Sequence, residues 1–337
     1  MAGANLRGAV AVGGDLYGVD LEGANMRAVD LSGSDLTTAS LSRVYALHAE
    51  MENANLDRAN LSGALLDTAV LSGAQAPGSQ WPDAIVNNAT LRGTNLTGAN
   101  LQRVSGMYAN LQGATMSGAD ALSANFGLAT LYMAVMQGIN LTGGSLSQSV
   151  FVLADMRQAT LAGANLSNAE LSEANLDRAI LISAALAGTN LTRAYLPGAN
   201  LTNVISLGGT NLSRANLTGA NLTRMKAPSS NLTGADLTGA DLTRAILARS
   251  TFTGTSLRGV SAQGVDLFRA NLQGADFTSA DLRRGNLSRT SVSRTHFTKA
   301  NLAHANLTGS RPLGDAIWSQ TTCPNGKVNL GTSPCGR

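Results

Sequence analysis

A five-residue period constrains this chain more than any other feature. Steps of five from Leu6 reach Leu16, Leu21, Met26, Leu31, Leu36 and Leu41, and the frame continues to Leu201 as 40 positions, 33 of them Leu, Met or Phe. Between Leu201 and Leu207 the step widens to six residues, through Thr202-Asn203-Val204-Ile205-Ser206. A second frame then runs from Leu207 to Leu307, with 18 of its 21 positions Leu or Phe. Two residues before each beat stands a second small or apolar residue, most often alanine, as at Ala4, Ala24, Ala54, Ala164 and Ala235. The residue between them is commonly Asn or Asp, and the two that follow the beat favour Ser, Thr, Arg and Gly.

This period excludes both ordinary elements. Five residues advance an α-helix by about 140°, which smears the leucines around the axis. Five is also odd, so along an extended strand every second leucine would face water. A chain that turns a corner once per pentad escapes both problems. It sends each beat residue and its preceding alanine into one axial core, with Gly, Asn, Asp and Ser at the corners. Successive turns then pair like parallel strands. Aromatic residues are only 4% of the chain, so aliphatic and small side chains must fill that core.

The run Ala-Asn-Leu-Thr-Gly-Ala-Asn-Leu-Thr-Arg at 215–224 resembles the A-(D/N)-L-x-x motif of the pentapeptide-repeat proteins, and the resemblance covers roughly residues 4–309. It implies an all-β fold, a right-handed quadrilateral parallel β-helix with four pentads per coil. That gives about 15 coils and a rod ~70 Å long at the usual spacing of neighbouring strands. The expected domains are the β-helix over 1–309 and a small C-terminal cap over 310–337.

Several places depart from the pattern. Over 76–88 the frame holds while Ala76, Trp81 and Val86 replace leucine, and Pro77 and Pro82 remove backbone donors. A distorted coil or protruding loop is expected there, either as tolerated irregularity or as a partner-contact loop. Gly106, Ala121 and Ala227 are weak beats, and the extra residue near 203–206 reads as a bulge.

After Leu307 the pattern stops. A solenoid end exposes apolar core and unpaired backbone, so a cap is required, with Ile317 and Trp318 as its natural plug. Cys323 and Cys335 are the only cysteines. The tail Trp-Ser-Gln-Thr-Thr-Cys-Pro-Asn-Gly resembles C-terminal caps of bacterial members of the family thought to be exported. A disulfide between Cys323 and Cys335 is expected, contributing ~3 kcal/mol, with two free thiols the alternative. Two cysteines alone do not complete a zinc shell. A disulfide points to an exported or extracellular bacterial location, its absence to the cytoplasm. No signal peptide is visible, and the chain begins inside the repeat without an N-terminal cap, as a trimmed chain would.

No catalytic, cofactor or metal site is expected. His48, His296 and His304 fall on outward positions, and no P-loop, G-x-S-x-G or H-E-x-x-H motif occurs. No run is long and apolar enough to span a membrane.

Charge carries the functional information. The net +3 hides a partition: residues 1–177 hold 7 Lys/Arg and 15 Asp/Glu, residues 178–337 hold 17 and 6. Stepping by 20 stacks Arg249, Arg269 and Arg289 in one column and Arg224, Arg244, Gly264 and Arg284 in another. These columns read either as solubilising decoration or as a strip for an acidic partner, a polyanion or the acidic end of another copy. Outward Tyr132 and Met133 stack over Val152 and Leu153, with Leu128, Ile180 and Ile182 nearby, forming an apolar strip suited to lateral contact unless a distorted coil buries it.

The leading expectation is a non-enzymatic structural or interaction scaffold that binds a protein partner or self-associates. The family's best-known branch protects DNA gyrase from quinolones by imitating duplex DNA, and only the acidic N-terminal half suits that role here. Nucleic-acid binding through the arginines is disfavoured, because the strip lacks outward aromatics for base stacking.

Overall fold

The computed structural model describes residues 1–331 and 333–335. They form two compact units, Met1–Glu170 and Leu171–Arg337. In the first unit single-residue parallel bridges join every fifth residue, the one before each beat, to the residue 20 positions on, in four ladders that begin Asn5↔Asn25, Val10↔Asp30, Asp15↔Asp35 and Asp20↔Ser40. The second unit repeats the scheme from Asn175↔Tyr195 onward.

Each letter of the pentad has a bond to explain it. The beat residue donates its N–H to the next coil, as Leu6 does to the Asn25 carbonyl at 2.7 Å. The residue before it donates to the previous coil, as Asn25 does to Ala4 at 2.9 Å. The alanine N–H closes the corner locally, Ala9 to Leu6 at 3.0 Å, and the second corner residue donates onward, Gly8 to Arg27 at 2.9 Å. Only the first corner residue has no backbone acceptor. The preceding Asn or Asp side chain supplies one: Asn60 Oδ1 accepts from the Ser62 N–H at 3.1 Å, and Asp241 Oδ1 from Thr243 at 2.8 Å. This Asx turn satisfies a donor that folding would otherwise strand. The second corner residue has φ near +60° throughout, whether it is glycine or not.

The beat and alanine positions form the core. Leu166, Ala164, Leu237 and Ala235 are essentially inaccessible, as are the core residues of the repeat from Leu21 to Leu302, whereas those of the first coil, Leu6 and Leu16 among them, are half-buried. The residue at the beat must fit its neighbours one coil away. At Gly106 an added Cβ would lie 2.8 Å from the Phe126 ring, so the missing side chain is the space that phenylalanine fills.

Two expectations of irregularity need correction. Residues 76–88 form neither a distorted coil nor a protruding loop. Ala76, Trp81 and Val86 are buried at their beats, and Gln75, Gln80 and Ile85 keep their bridges to Asn95, Asn100 and Ser105. Pro77 and Pro82 occupy the first corner position, the one place in the pentad where the ladder uses no N–H. Their carbonyls still accept from Arg58 and Gly63. Trp81 fits because its indole N–H donates to Ser79 Oγ at 2.6 Å inside the core.

The extra residue lies later than 203–206. Ser206 holds the beat and is buried, whereas Leu207 is 81% exposed and does not open the second frame. The ladders shift from Asn190↔Asn211 to Ile205↔Lys226, each spanning 21 residues, and return to 20 at Asn211↔Asn231. Gly209 is required here, since its φ is +71° and a Cβ would sit 2.8 Å from the Ser229 carbonyl oxygen. A buried hydroxyl stands in for a lost backbone contact: Thr210 N–H donates to Ser230 Oγ at 3.1 Å, while Thr210 Oγ1 adds a bond at 3.0 Å to the Leu186 carbonyl, which also accepts the Thr189 N–H.

At the C-terminus the rings of Phe277, Phe297 and Trp318 stack, with centroids 5.5 and 4.7 Å apart. Trp318 is fully buried, but Ile317 is 41% exposed and takes a ladder position opposite His296 rather than plugging the core. Parallel pairing continues to Asn301↔Thr322. A short antiparallel pair follows, β1 (Thr321–Thr322) with β2 (Val328–Asn329), and Cys323 is joined to Cys335 as a disulfide.

Candidate functional site

The arginine columns form in the second unit as the period requires. All six members occupy the second corner position, with φ between +56° and +62°, and all are exposed. Backbone bonds stack them coil on coil: Arg224 N–H to the Thr243 carbonyl at 3.0 Å, Arg244 to Gln263 at 2.9 Å, Gly264 to Arg283 at 2.9 Å, and Arg249 to Phe268 at 2.8 Å. Arg269 lies over the Phe268 ring at 5.1 Å. Ion pairs elsewhere engage Arg43, Arg58, Arg103, Arg157, Arg193, Arg258 and Arg283. Among the described residues none of the six column arginines joins one.

Around Gly264 the column opens. Thr223, Arg224, Thr243, Arg244, Gln263, Gly264 and Arg284 line a groove of about 240 Å³ that is open to solvent. The column and its gap are read directly from the 20-residue step; that the gap is a concave site follows only from the packed coils.

Charge divides with the units. The first carries 7 Lys/Arg against 13 Asp/Glu and the second 17 against 8, a net of −6 and +9. Carboxylates in the first unit stack on the ladders, Asp15 on Asp35 and Asp30 on Glu50. Hydrogen bonds from the Thr37 hydroxyl and N–H hold the Asp35 carboxyl below its ordinary range. The Arg103 guanidinium does the same for Asp83, donating to both carboxylate oxygens at 2.7 Å.

The apolar strip is divided between the units. In the first, Met133 donates its N–H to the Val152 carbonyl at 3.0 Å, which sets Tyr132 and Met133 directly against Val152 and Leu153. Met133 and Leu153 are exposed, while Tyr132 and Val152 are half-buried. Leu128 is half-buried on the preceding corner, beside exposed Tyr108, which the sequence reading omitted. Tyr108 shares the second corner position with Leu128 twenty residues on, so the same stepping would have found it. In the second unit Ile180 bridges Asn200 and Ile182 adjoins Thr202, so their neighbours there are polar.

His48, His296 and His304 are exposed. Among the described residues no group of three or more His, Cys, Asp or Glu is placed to hold a metal ion, and no helix is long and apolar enough to cross a membrane.

Comparison with solved structures returns repeat proteins of one kind. HetL, a pentapeptide-repeat protein involved in heterocyst differentiation regulation from the cyanobacterium Nostoc sp. strain PCC 7120, is 29% identical over 69% of this chain and 92% of its own, with a TM-score of 0.34. A pentapeptide-repeat protein of the Arabidopsis thaliana thylakoid lumen is 33% identical over 27% of this chain and 62% of its own, at a TM-score of 0.26. The plasmid-mediated fluoroquinolone resistance protein QnrB1 is 12% identical over 66% of this chain and 88% of its own, at 0.31. No curated protein matches the chain. The model of the pentapeptide repeats matches residues 1–73, 84–120 and 134–311. With the ladders, the buried leucines and the Asx corners all keeping the five-residue period, this chain belongs to the pentapeptide-repeat family.

Proposed function

We propose that the protein is a non-enzymatic interaction scaffold whose second unit takes an acidic protein surface, including that of another copy. One observation carries this: six stacked, exposed arginines without an ion pair among the described residues, in a molecule that pairs seven others. Like charges one coil apart, ~5 Å, repel until an anion lies across them. The stacked carboxylates of the first unit repeat at the same coil spacing, and Met133 and Leu153 offer a salt-insensitive contact. At ~0.15 M salt the Debye length is ~8 Å, so charge steers encounter while apolar burial holds the complex. The finer geometry of this scaffold is a right-handed, four-sided coil of about 15 turns, closed by residues 310–337 as a cap.

Sedimentation velocity tests the proposal. The intact chain should self-associate at low salt, less at high salt and less again with Leu153→Asp. The triple change Arg249→Glu, Arg269→Glu, Arg289→Glu should slow assembly while leaving thermal unfolding near that of the parent. A chain that stays monomeric at low salt and high concentration overturns self-association.

A second reading treats the acidic first unit as a duplex mimic that binds DNA gyrase. Its stacked Asp15, Asp35, Asp30 and Glu50 favour it and the net +9 of the second unit opposes it. Protection of gyrase supercoiling by the chain would decide for this reading.

A further inference from the structure

We infer that the groove over Gly264 is a binding site for a tetrahedral oxyanion, a phosphate or sulfate ester, held between Arg244 and Arg284 with Arg224 behind. The inference goes beyond the scaffold proposal, which needs only a basic surface, and the two fail separately.

The gap in the column makes the site. A guanidinium at 264 would continue the row Arg224, Arg244, Arg284, but glycine leaves a space two coils wide, ~10 Å, between Arg244 and Arg284. A Cβ placed on Gly264 would lie 3.7 Å from Arg244 Cγ, so the Arg244 stem leans across the glycine. The same lean recurs where glycine follows arginine by one coil, at Arg214 with Gly234 and Arg289 with Gly309. Among the described residues, only over Gly264 does a further arginine, Arg284, close the far side. Thr243 and Gln263 add neutral donors to the lining.

The nearby carboxylates are committed elsewhere. Asp241 accepts from the Thr243 N–H at 2.8 Å. Asp266 accepts from the Phe268 N–H at 3.0 Å and Asn286 Nδ2 at 2.9 Å. Asp281 is held by Arg283 at 2.6 Å. Fork-shaped guanidinium donors converging from several sides suit an oxyanion with three or more acceptor oxygens better than a planar carboxylate.

The test uses the full chain and follows arginine Nε–H signals by NMR during titration with phenyl phosphate, phenyl sulfate and benzoate. Phenyl phosphate or phenyl sulfate should bind more tightly than benzoate and shift the signals of Arg224, Arg244 and Arg284 before those of Arg249. Weakening of phenyl phosphate below about pH 6, where its second charge is lost, with phenyl sulfate unchanged, identifies phosphate as the better ligand; preference for sulfate at every pH identifies the other source. Gly264→Arg is decisive because it adds positive charge while filling the groove. The corner already accepts arginine at 224, 244 and 284, so the variant should fold. A site predicts that Gly264→Arg and Arg284→Gln each weaken phenyl phosphate about tenfold, the loss of one charge-assisted contact, and that Arg249→Gln changes it less than about twofold. Tighter binding in Gly264→Arg, or benzoate binding as well as phenyl phosphate, overturns the site and leaves only a basic surface.

Discussion

The coil at residues 76–88 carries two prolines and three substituted beats yet keeps every backbone bond of the ladder, whereas the stretch at 206–211 carries one extra residue and leaves a leucine in water. In composition the first is the more deviant. In phase it is regular: each proline lands on the corner position whose N–H the ladder does not use, and the tryptophan brings a hydroxyl partner with it. The second stretch is chemically ordinary, but a single insertion moves every later residue of the corner. A parallel coil therefore tolerates a change of residue type at a fixed position far better than a change of count, because its bonds are assigned by position.

The largest effect should come from moving a proline by one place. Gly78 has φ of +62° and donates its N–H to the Thr97 carbonyl at 2.9 Å. Gly78→Pro forces φ to about −65° and removes that bond, and should cost upward of ~3 kcal/mol. Pro77→Ala should stay within ~1 kcal/mol. Denaturant unfolding of the two variants measures both, and equal damage would mean that the corner assignment is wrong.

Next comes the leucine that left the frame. Leu212→Ala should cost ~2–5 kcal/mol, as for a buried leucine, while Leu207→Ala should lie within ~0.5 kcal/mol. The simple five-residue count makes these two leucines equivalent, so a comparable loss at both would restore that count and remove the displaced insertion.

The smallest effect separates the two stretches by pH. Asp83, next to Pro82, is paired with Arg103, whose guanidinium holds its carboxyl below the ordinary range. A carboxyl depressed in the folded state contributes stability that is complete above its unfolded value, about 3.9, and is lost as pH falls through the folded value. Asp83→Asn should therefore flatten part of the acid-side fall in stability. Ser230→Ala, which removes a hydroxyl from the 206–211 network, should lower stability by the same amount at pH 7 and at pH 3. An unchanged acid slope in Asp83→Asn would remove the ion pair from the account.

The fold was legible because its signal is redundant. Dozens of leucines on one period leave a single way to bury them all, and the alanine two places earlier fixes which neighbour shares the core. The arginine columns were legible for the same reason, since a 20-residue step is only four pentads. Less legible was the role of the Asn/Asp position. In sequence it reads only as a residue that tolerates corners, but in the folded chain its side chain accepts the one N–H per pentad that the ladder leaves over.

What the sequence alone determined is thus everything that repeats: the ladders, the core and the stacking of charge. Tertiary structure decided what occurs once. Whether Pro77 disrupts a coil depends on which N–H groups the neighbouring coil accepts. Where the extra residue of 206–211 is accommodated depends on Gly209 passing close to Ser229 and on the Ser230 hydroxyl accepting the freed Thr210 N–H. Whether Ile317 or Trp318 fills the end depends on the ring of Phe297 one coil away, which selects the side chain that stacks on it. Each of these outcomes is a contact between residues about 20 apart, and one-dimensional spacing names the partners of such a contact without giving its shape.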